Sequence, residues 1–185
     1  MIAEIYYITG RGGSISEGLG IFLKQRARKV SGISLSQEFL SSDFEDQLAS
    51  IHNHFERIQR DSIPVIANSY GAYLLLNSLI NLPKLHTKVL LLSPVVGTLV
   101  SEAGYFKPPF AKQIPDALRE GKLIKPDYLA ICVGMLDNQS DLAALDEIAE
   151  KLSADQYTVI EDQGHLIDKV IVQAMVDEFL VVKTV

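Results

Sequence analysis

The chain has 185 residues, 48% of them hydrophobic and 22% charged, with a net charge of −6 at neutral pH. That length suits one domain, residues 1–185, with a sizeable core; the lack of a basic footprint argues against nucleic acid or an anionic membrane as the main partner, and one cysteine excludes an internal disulfide. The start "MIAEIYYITG" has neither the basic segment nor the long apolar stretch of a signal peptide, and no run of about 18 apolar residues occurs, so the expectation is a cytoplasmic protein without a membrane span.

Short apolar runs alternate with longer helical patterns along the chain. Ile2 to Thr9 reads as the first strand, followed by a helix over about 16–30 that ends in "KQRARK", residues 24–29, a solvated helix end whose cations suit the dipole. A weak strand near Gly32 to Leu35 comes next. A helix over 42–60 is announced by "SSDFEDQL", with serine cap candidates and acids in its first turn. Ile63 to Asn68 reads as a buried strand, 71–82 as a helix ending before Pro83, and Lys88 to Ser93 as the fourth strand. Tyr128 to Gly134 and Tyr157 to Glu161 complete six strands, with helices over 141–152 and 166–182. Cys132 lies within "YLAICVG" and is expected as a small buried side chain. Strict alternation of strand and helix predicts a three-layer αβα sandwich around a mainly parallel six-stranded sheet.

Residues 94–127 form the one long connection. They contain Pro94, Pro108, Pro109, Pro115 and Pro126 beside Tyr105, Phe106 and Phe110, and read either as a lid and binding segment or as a crossover that covers the sheet. A short helix around Pro115 to Lys122 is expected inside it, with proline in the first turn. The apolar tail "FLVVKTV" either finishes the core or mediates self-association, and the oligomeric state is open.

In a parallel sheet, sites form where the strand-to-helix loops emerge, at the carboxyl ends of the strands. Those loops read "TGRGGS", "NSYG", "GMLDNQSD" and "EDQGHL". Ser69 ends the third strand and opens a helix. A serine there is projected from the sheet by a tight turn, and the helix amino terminus favours negative charge beside it. The turn demands small neighbours two residues either side, which Ala67 and Gly71 supply. The plain alternative is that Ser69 is only an N-cap. Asp137 follows the fifth strand and His165 the sixth, so both reach the same sheet edge. A serine needs a base to attack a carbonyl, and a histidine serves best when a carboxylate fixes its tautomer.

"ANSYG" resembles the nucleophile elbow of the α/β-hydrolases, whose usual form is G-x-S-x-G. "VGMLDNQSD" resembles the acid loop of that family, "GHL" its histidine loop, and "ITGRGGS" the glycine-containing turn that contributes to its oxyanion hole. The likeness covers nearly the whole chain, as a compact version without the first antiparallel strands. It departs at Ala67, where the elbow usually has glycine, and at Thr9-Gly10, where many relatives have His-Gly. The resemblance implies Ser69 as nucleophile, His165 as general base and Asp137 as its orienter. It also implies the backbone N–H of Tyr70 as one oxyanion donor and a second from the Gly10 to Gly13 turn, at Arg11. Gly10 and Gly12, with Tyr105, Phe106 and Phe110 of the long connection, are then the candidate substrate contacts. The substrate would be a small acyl compound: an ester, thioester or amide. Arg11 and Lys107 could meet an anionic group on it, or simply face solvent.

The other acids and histidines fit duller roles. Asp141 suits the first turn of the following helix, and Asp162 a turn. His52 and His54 are two apart in a helical segment and face different ways, while His86 precedes a strand at the opposite sheet edge. With no Cys–His cluster and no HExxH, no metal and no cofactor are expected. Two further readings compete with a hydrolase. A dinucleotide-binding domain is prompted by "GRGG", but position 15 is isoleucine where G-x-G-x-x-G requires glycine. A noncatalytic relative that binds a partner through the same fold is the other.

Overall fold

Alternation along the strands divides their side chains between two apolar layers, one on each face of a single sheet. The computed structural model describes residues 2–97 and 108–182. The strands are β1 (Ile2–Arg11), β2 (Ala27–Leu35), β3 (Val65–Asn68), β4 (Lys88–Leu92), β5 (Tyr128–Gly134) and β6 (Gln156–Ile160). They form a six-stranded sheet in the order β2-β1-β3-β4-β5-β6, every pair parallel. Val65, Ala67, Val89 and Leu91 point to one face, and Ile66, Leu90 and Leu92 to the other, as the two-residue period of a strand requires.

The first face is covered by α2 (Gln37–Leu40), α3 (Phe44–His52), α4 (Phe55–Arg60), α5 (Tyr70–Ser78), α6 (Gln113–Arg119) and α7 (Leu142–Lys151). On the second face, α1 (Leu19–Lys24) contributes Phe22 and Leu23, and α8 (Lys169–Val181) contributes Met175, Val176 and Phe179. This is the expected three-layer α/β architecture. All nine residues of α5 are buried, which is why that helix reads as apolar on every side. Cys132 is fully buried, and burial pushes its thiol up to about 11. Lys88 closes α8 by donating from Nζ to the carbonyls of Phe179, Leu180 and Val182 at 2.8–3.0 Å.

Several boundaries differ from the sequence reading. The helix expected over 16–30 shrinks to α1, and only Lys24 and Gln25 of "KQRARK" close it: Ala27, Arg28 and Lys29 already belong to β2. The reason is the position of β2 at the sheet edge. An edge strand carries exposed charges that a helix end would carry equally well, so composition does not separate the two. Lys29 pairs with Glu4 across the β1–β2 register, and Arg26 lies 3.8 Å over the Phe22 ring while pairing with Asp177 of α8. The 42–60 segment breaks at Asn53-His54 into α3 and α4, and its cap is Asp43 rather than a serine, since Ser42 donates instead to the Phe39 carbonyl. The short α2 was not expected. Within the long connection, α6 begins two residues before Pro115, which sits in its first turn. Among the described residues no helix is long and apolar enough to cross a membrane.

Candidate active site

Strand order reverses direction between β1 and β3, and the carboxyl ends of these strands flank a crevice there. Ser69 stands at the end of β3 and immediately before α5, with φ 54° and ψ −121°. A left-handed backbone at a non-glycine residue costs about 1–3 kcal/mol and has to be held by its surroundings. Here Ser69 N donates to the Leu92 carbonyl at 2.8 Å, and the Ser69 carbonyl accepts from Ala72 N and Tyr73 N. The serine side chain makes no cap hydrogen bond to α5. The helix therefore starts without its help, which sets aside the N-cap alternative.

The turn also depends on what approaches it. A Cβ at Gly71 would stand 2.2 Å from the Thr9 carbonyl oxygen, so α5 can lie this close to β1 only through a glycine. Ala67 is fully buried in β3 and needs no special backbone. That explains why alanine serves where the usual elbow has glycine. At the far end of the site, a Cβ at Gly134 would meet the Gln163 and Gly164 carbonyls at 2.3 and 2.4 Å. The loop carrying His165 thus folds directly over the end of β5, where the loop carrying Asp137 starts.

Those two loops bring three side chains into one line. Ser69 Oγ and His165 Nε2 are 2.8 Å apart, and His165 Nδ1 lies 3.0 Å from both Oδ1 and Oδ2 of Asp137. The Asp137 side chain is fully buried and that of His165 is 10% exposed. The carboxylate is anchored further, because Oδ1 accepts from Gln139 N at 2.8 Å. A buried carboxylate on Nδ1 holds the imidazole with its proton on that nitrogen, leaving Nε2 to accept from a hydroxyl.

Beside Ser69 run the residues expected to form the oxyanion turn. A Cβ at Gly10 would stand 3.3 Å from Ser69 Cβ, so this loop passes against the serine. Tyr70 opens α5, and its N–H points out from the helix amino terminus. Arg11 ends β1 with its guanidinium 6.0 Å from the centre of the Tyr70 ring. Gly12 is exposed, with φ +68°. Thr9, which replaces the histidine common at this position, is 1% exposed and structural: its Oγ1 accepts from Leu35 N at 2.9 Å and donates to the Gly10 carbonyl. It thereby ties down the irregularity in the β1–β2 register between Ile8 and Arg11.

Two cavities adjoin these residues. One of about 300 Å³ is bounded by Arg11, Tyr70, Phe44, Gln47 and Pro109. The other, about 270 Å³, opens beside His165 between α1 and α8 and has Asn68 and Ser93 among its walls. Neither Asn68 nor Ser93 was singled out from sequence. Ser93 is 3% exposed with φ 42°, a conformation that the run "LLLSPV" does not reveal. Of the long connection, Phe110 packs against Phe44 with ring centres 5.2 Å apart and remains 55% exposed; Tyr105, Phe106 and Lys107 lie outside the described residues.

The remaining polar candidates have other partners. Asp141 is the N-cap of α7, accepting from Ala143 N and Ala144 N. Asp162 occupies a left-handed turn position. His52 contacts the Ser78 carbonyl at 2.7 Å, His54 packs on Tyr6, and His86 pairs with Asp127 at the opposite end of the sheet. Among the described residues no group of three or more His, Cys, Asp or Glu stands where it could hold a metal ion.

No protein-family model matches the chain, and no curated protein matches it in sequence. Solved structures do match. The chain is similar to the monoacylglycerol lipase of Paleococcus ferrophilus, at 15% identity over 96% of this chain and 93% of that one, with a TM-score of 0.67. It is similar to the ydeN gene product of B. subtilis, at 16% identity over 96% and 98% of the two chains, TM-score 0.65. It is also similar to the esterase PE8, at 15% identity over 96% and 92%, TM-score 0.61. The fold is therefore that of the α/β-hydrolases, in a compact form.

Proposed function

We propose that the protein is a serine hydrolase that cleaves a small ester, thioester or amide through an acyl-enzyme on Ser69. The observation that carries this reading is the continuous contact from Ser69 Oγ through His165 to a fully buried Asp137. The fold is shared with structures described as an esterase and a monoacylglycerol lipase, which supports the same chemistry.

In the first half-reaction His165 Nε2 takes the Ser69 proton as Oγ bonds to the carbonyl carbon. The negative charge that develops on the carbonyl oxygen is met by the N–H of Tyr70 and by the turn at Gly10–Arg11, where removal of one donor typically costs about 10²–10³ in turnover. Collapse of the tetrahedral intermediate breaks the bond to the leaving group, which takes the proton from His165. Water then attacks the acyl-serine, giving its proton to Nε2, and the carboxylic acid departs as Ser69 recovers its hydrogen. Asp137 orients the imidazole and stabilises the imidazolium.

The test is steady-state hydrolysis of p-nitrophenyl esters of graded length by the native protein and by Ser69→Ala. Turnover that disappears in Ser69→Ala is the expected result. Equal non-zero rates for the two proteins remove Ser69 as the nucleophile, and no turnover by either leaves a noncatalytic protein built on this fold.

A further inference from the structure

The cleft beside His165 is built from elements that the expected lid does not include. Its apolar walls include Leu19 and Phe22 of α1, Leu92 of β4, Ile167 just before α8 and Val172 in the first turn of α8. Among its described lining residues none is a carboxylate, and the only formal cation is Lys169. A cationic ligand would therefore find no counter-charge there, whereas an aliphatic one finds dispersion contact on several sides.

Two further observations point to an occupant. Leu166, directly after His165, borders the cleft yet is 90% exposed. A large apolar side chain left bare beside a hydrogen-bonded serine and histidine is what a bound chain would cover. Ser93, in the same cleft, holds a left-handed backbone although it is not glycine. Such conformations gather at functional sites, because only a well-determined surrounding can retain them.

We propose that this cleft binds an unbranched aliphatic arm of the substrate, a proposal that rests on Ser69 acting as the nucleophile. Its length follows from volume. A cavity of roughly 150 Å³ accommodates a six-carbon ring, so a cleft of 270 Å³, nearly twice as large, takes a chain of roughly ten carbons. Each methylene buried is worth about fourfold in kcat/KM until the cleft is full. Either the acyl chain or the alcohol chain of an ester could provide this arm, and the two are separable by experiment.

The experiment uses the full-length protein with two ester series: p-nitrophenyl esters from acetate to dodecanoate, and acetate esters of ethanol to dodecanol. The native protein is expected to gain activity with length up to roughly ten carbons in one series, then to level off or fall. Val172→Phe, which narrows the cleft, should lower the octyl-to-acetyl or octyl-to-ethyl activity ratio at least tenfold; Leu19→Ala, which widens it, should move the optimum to longer chains. A shift in the acyl series assigns the cleft to the acyl group, and one in the alcohol series to the leaving group. A flat length profile, or ratios unchanged in both variants, overturns the proposal while Ser69-dependent acetate hydrolysis keeps the hydrolase reading intact. Absence of any Ser69-dependent hydrolysis removes that reading itself.

Discussion

Asp137 presents both carboxylate oxygens to His165 Nδ1 at 3.0 Å, from a position with no exposed side-chain surface. Burying a carboxylate is costly unless it is paired and hydrogen-bonded. Here the cost is offset by the imidazole and by Gln139 N–H. Replacing the carboxylate with an amide keeps the shape but removes both the charge and the tautomer control. Asp137→Asn is expected to lower kcat by roughly 10³–10⁴ with much less effect on KM. Steady-state kinetics on a folded variant check this; a loss smaller than about tenfold would show that His165 works without Asp137.

Gly71 tests the packing that makes the turn. A methyl group there would collide with the Thr9 carbonyl, which is backbone and cannot swing away. Gly71→Ala should destabilise the protein by about 1–3 kcal/mol and depress Ser69-dependent turnover. The comparison is Gly164→Ala, where the nearest atom is 3.6 Å from the added Cβ, an ordinary contact; its unfolding free energy should stay within about 0.5 kcal/mol of the native value. Equal unfolding midpoints for the two variants in denaturant would contradict the argument.

The pH dependence of acyl transfer follows from the same geometry. His165 can accept the serine proton only while Nε2 is unprotonated, so the rate should fall as the solution is acidified. Measuring kcat/KM for a p-nitrophenyl ester over a series of buffers of decreasing pH, with far-UV circular dichroism to establish that the protein stays folded, decides it. A flat profile would remove His165 as the base.

Glu4 governs a separate acid sensitivity. Burial alone would raise its carboxyl, but hydrogen bonds from Ser31, Arg57 and Lys29 outweigh that and hold it below the usual carboxylate range. A carboxylate depressed by folding contributes stability above its unfolded value, and that contribution is lost as pH falls through the folded one. Glu4→Gln should therefore cost about 1 kcal/mol at neutral pH, a deficit that shrinks below about pH 4.5. Urea unfolding at the two pH values checks the sign. A deficit that persists unchanged in acid would show that shape, not charge, is what Glu4 supplies.

How far the sequence is readable depends on whether the signal is local. The parallel sheet follows from runs such as "IPVIAN" and "YLAICVG", where β-branched and apolar residues are bounded by turn-formers. The loops carrying Ser69, Asp137 and His165 follow from their place after those runs, and the structure brings the three side chains together. The charged segment 24–29 is ambiguous because edge strands and helix ends both favour exposed cations; only the pairing of Lys29 with Glu4 decides it. The break at Asn53-His54 carries no proline or glycine to announce it. The cleft between α1 and α8 is the hardest feature to foresee. It joins Leu19, Leu92 and Val172, which are far apart in the chain and individually read as core.

The most direct test of the account is covalent. The native protein and Ser69→Ala are each treated with a fluorophosphonate, digested, and mapped by mass spectrometry. A single phosphonyl adduct on Ser69 in the native protein, strongly slowed in His165→Gln, is the predicted result. An unmodified Ser69, or an adduct formed equally in Ser69→Ala, would contradict it.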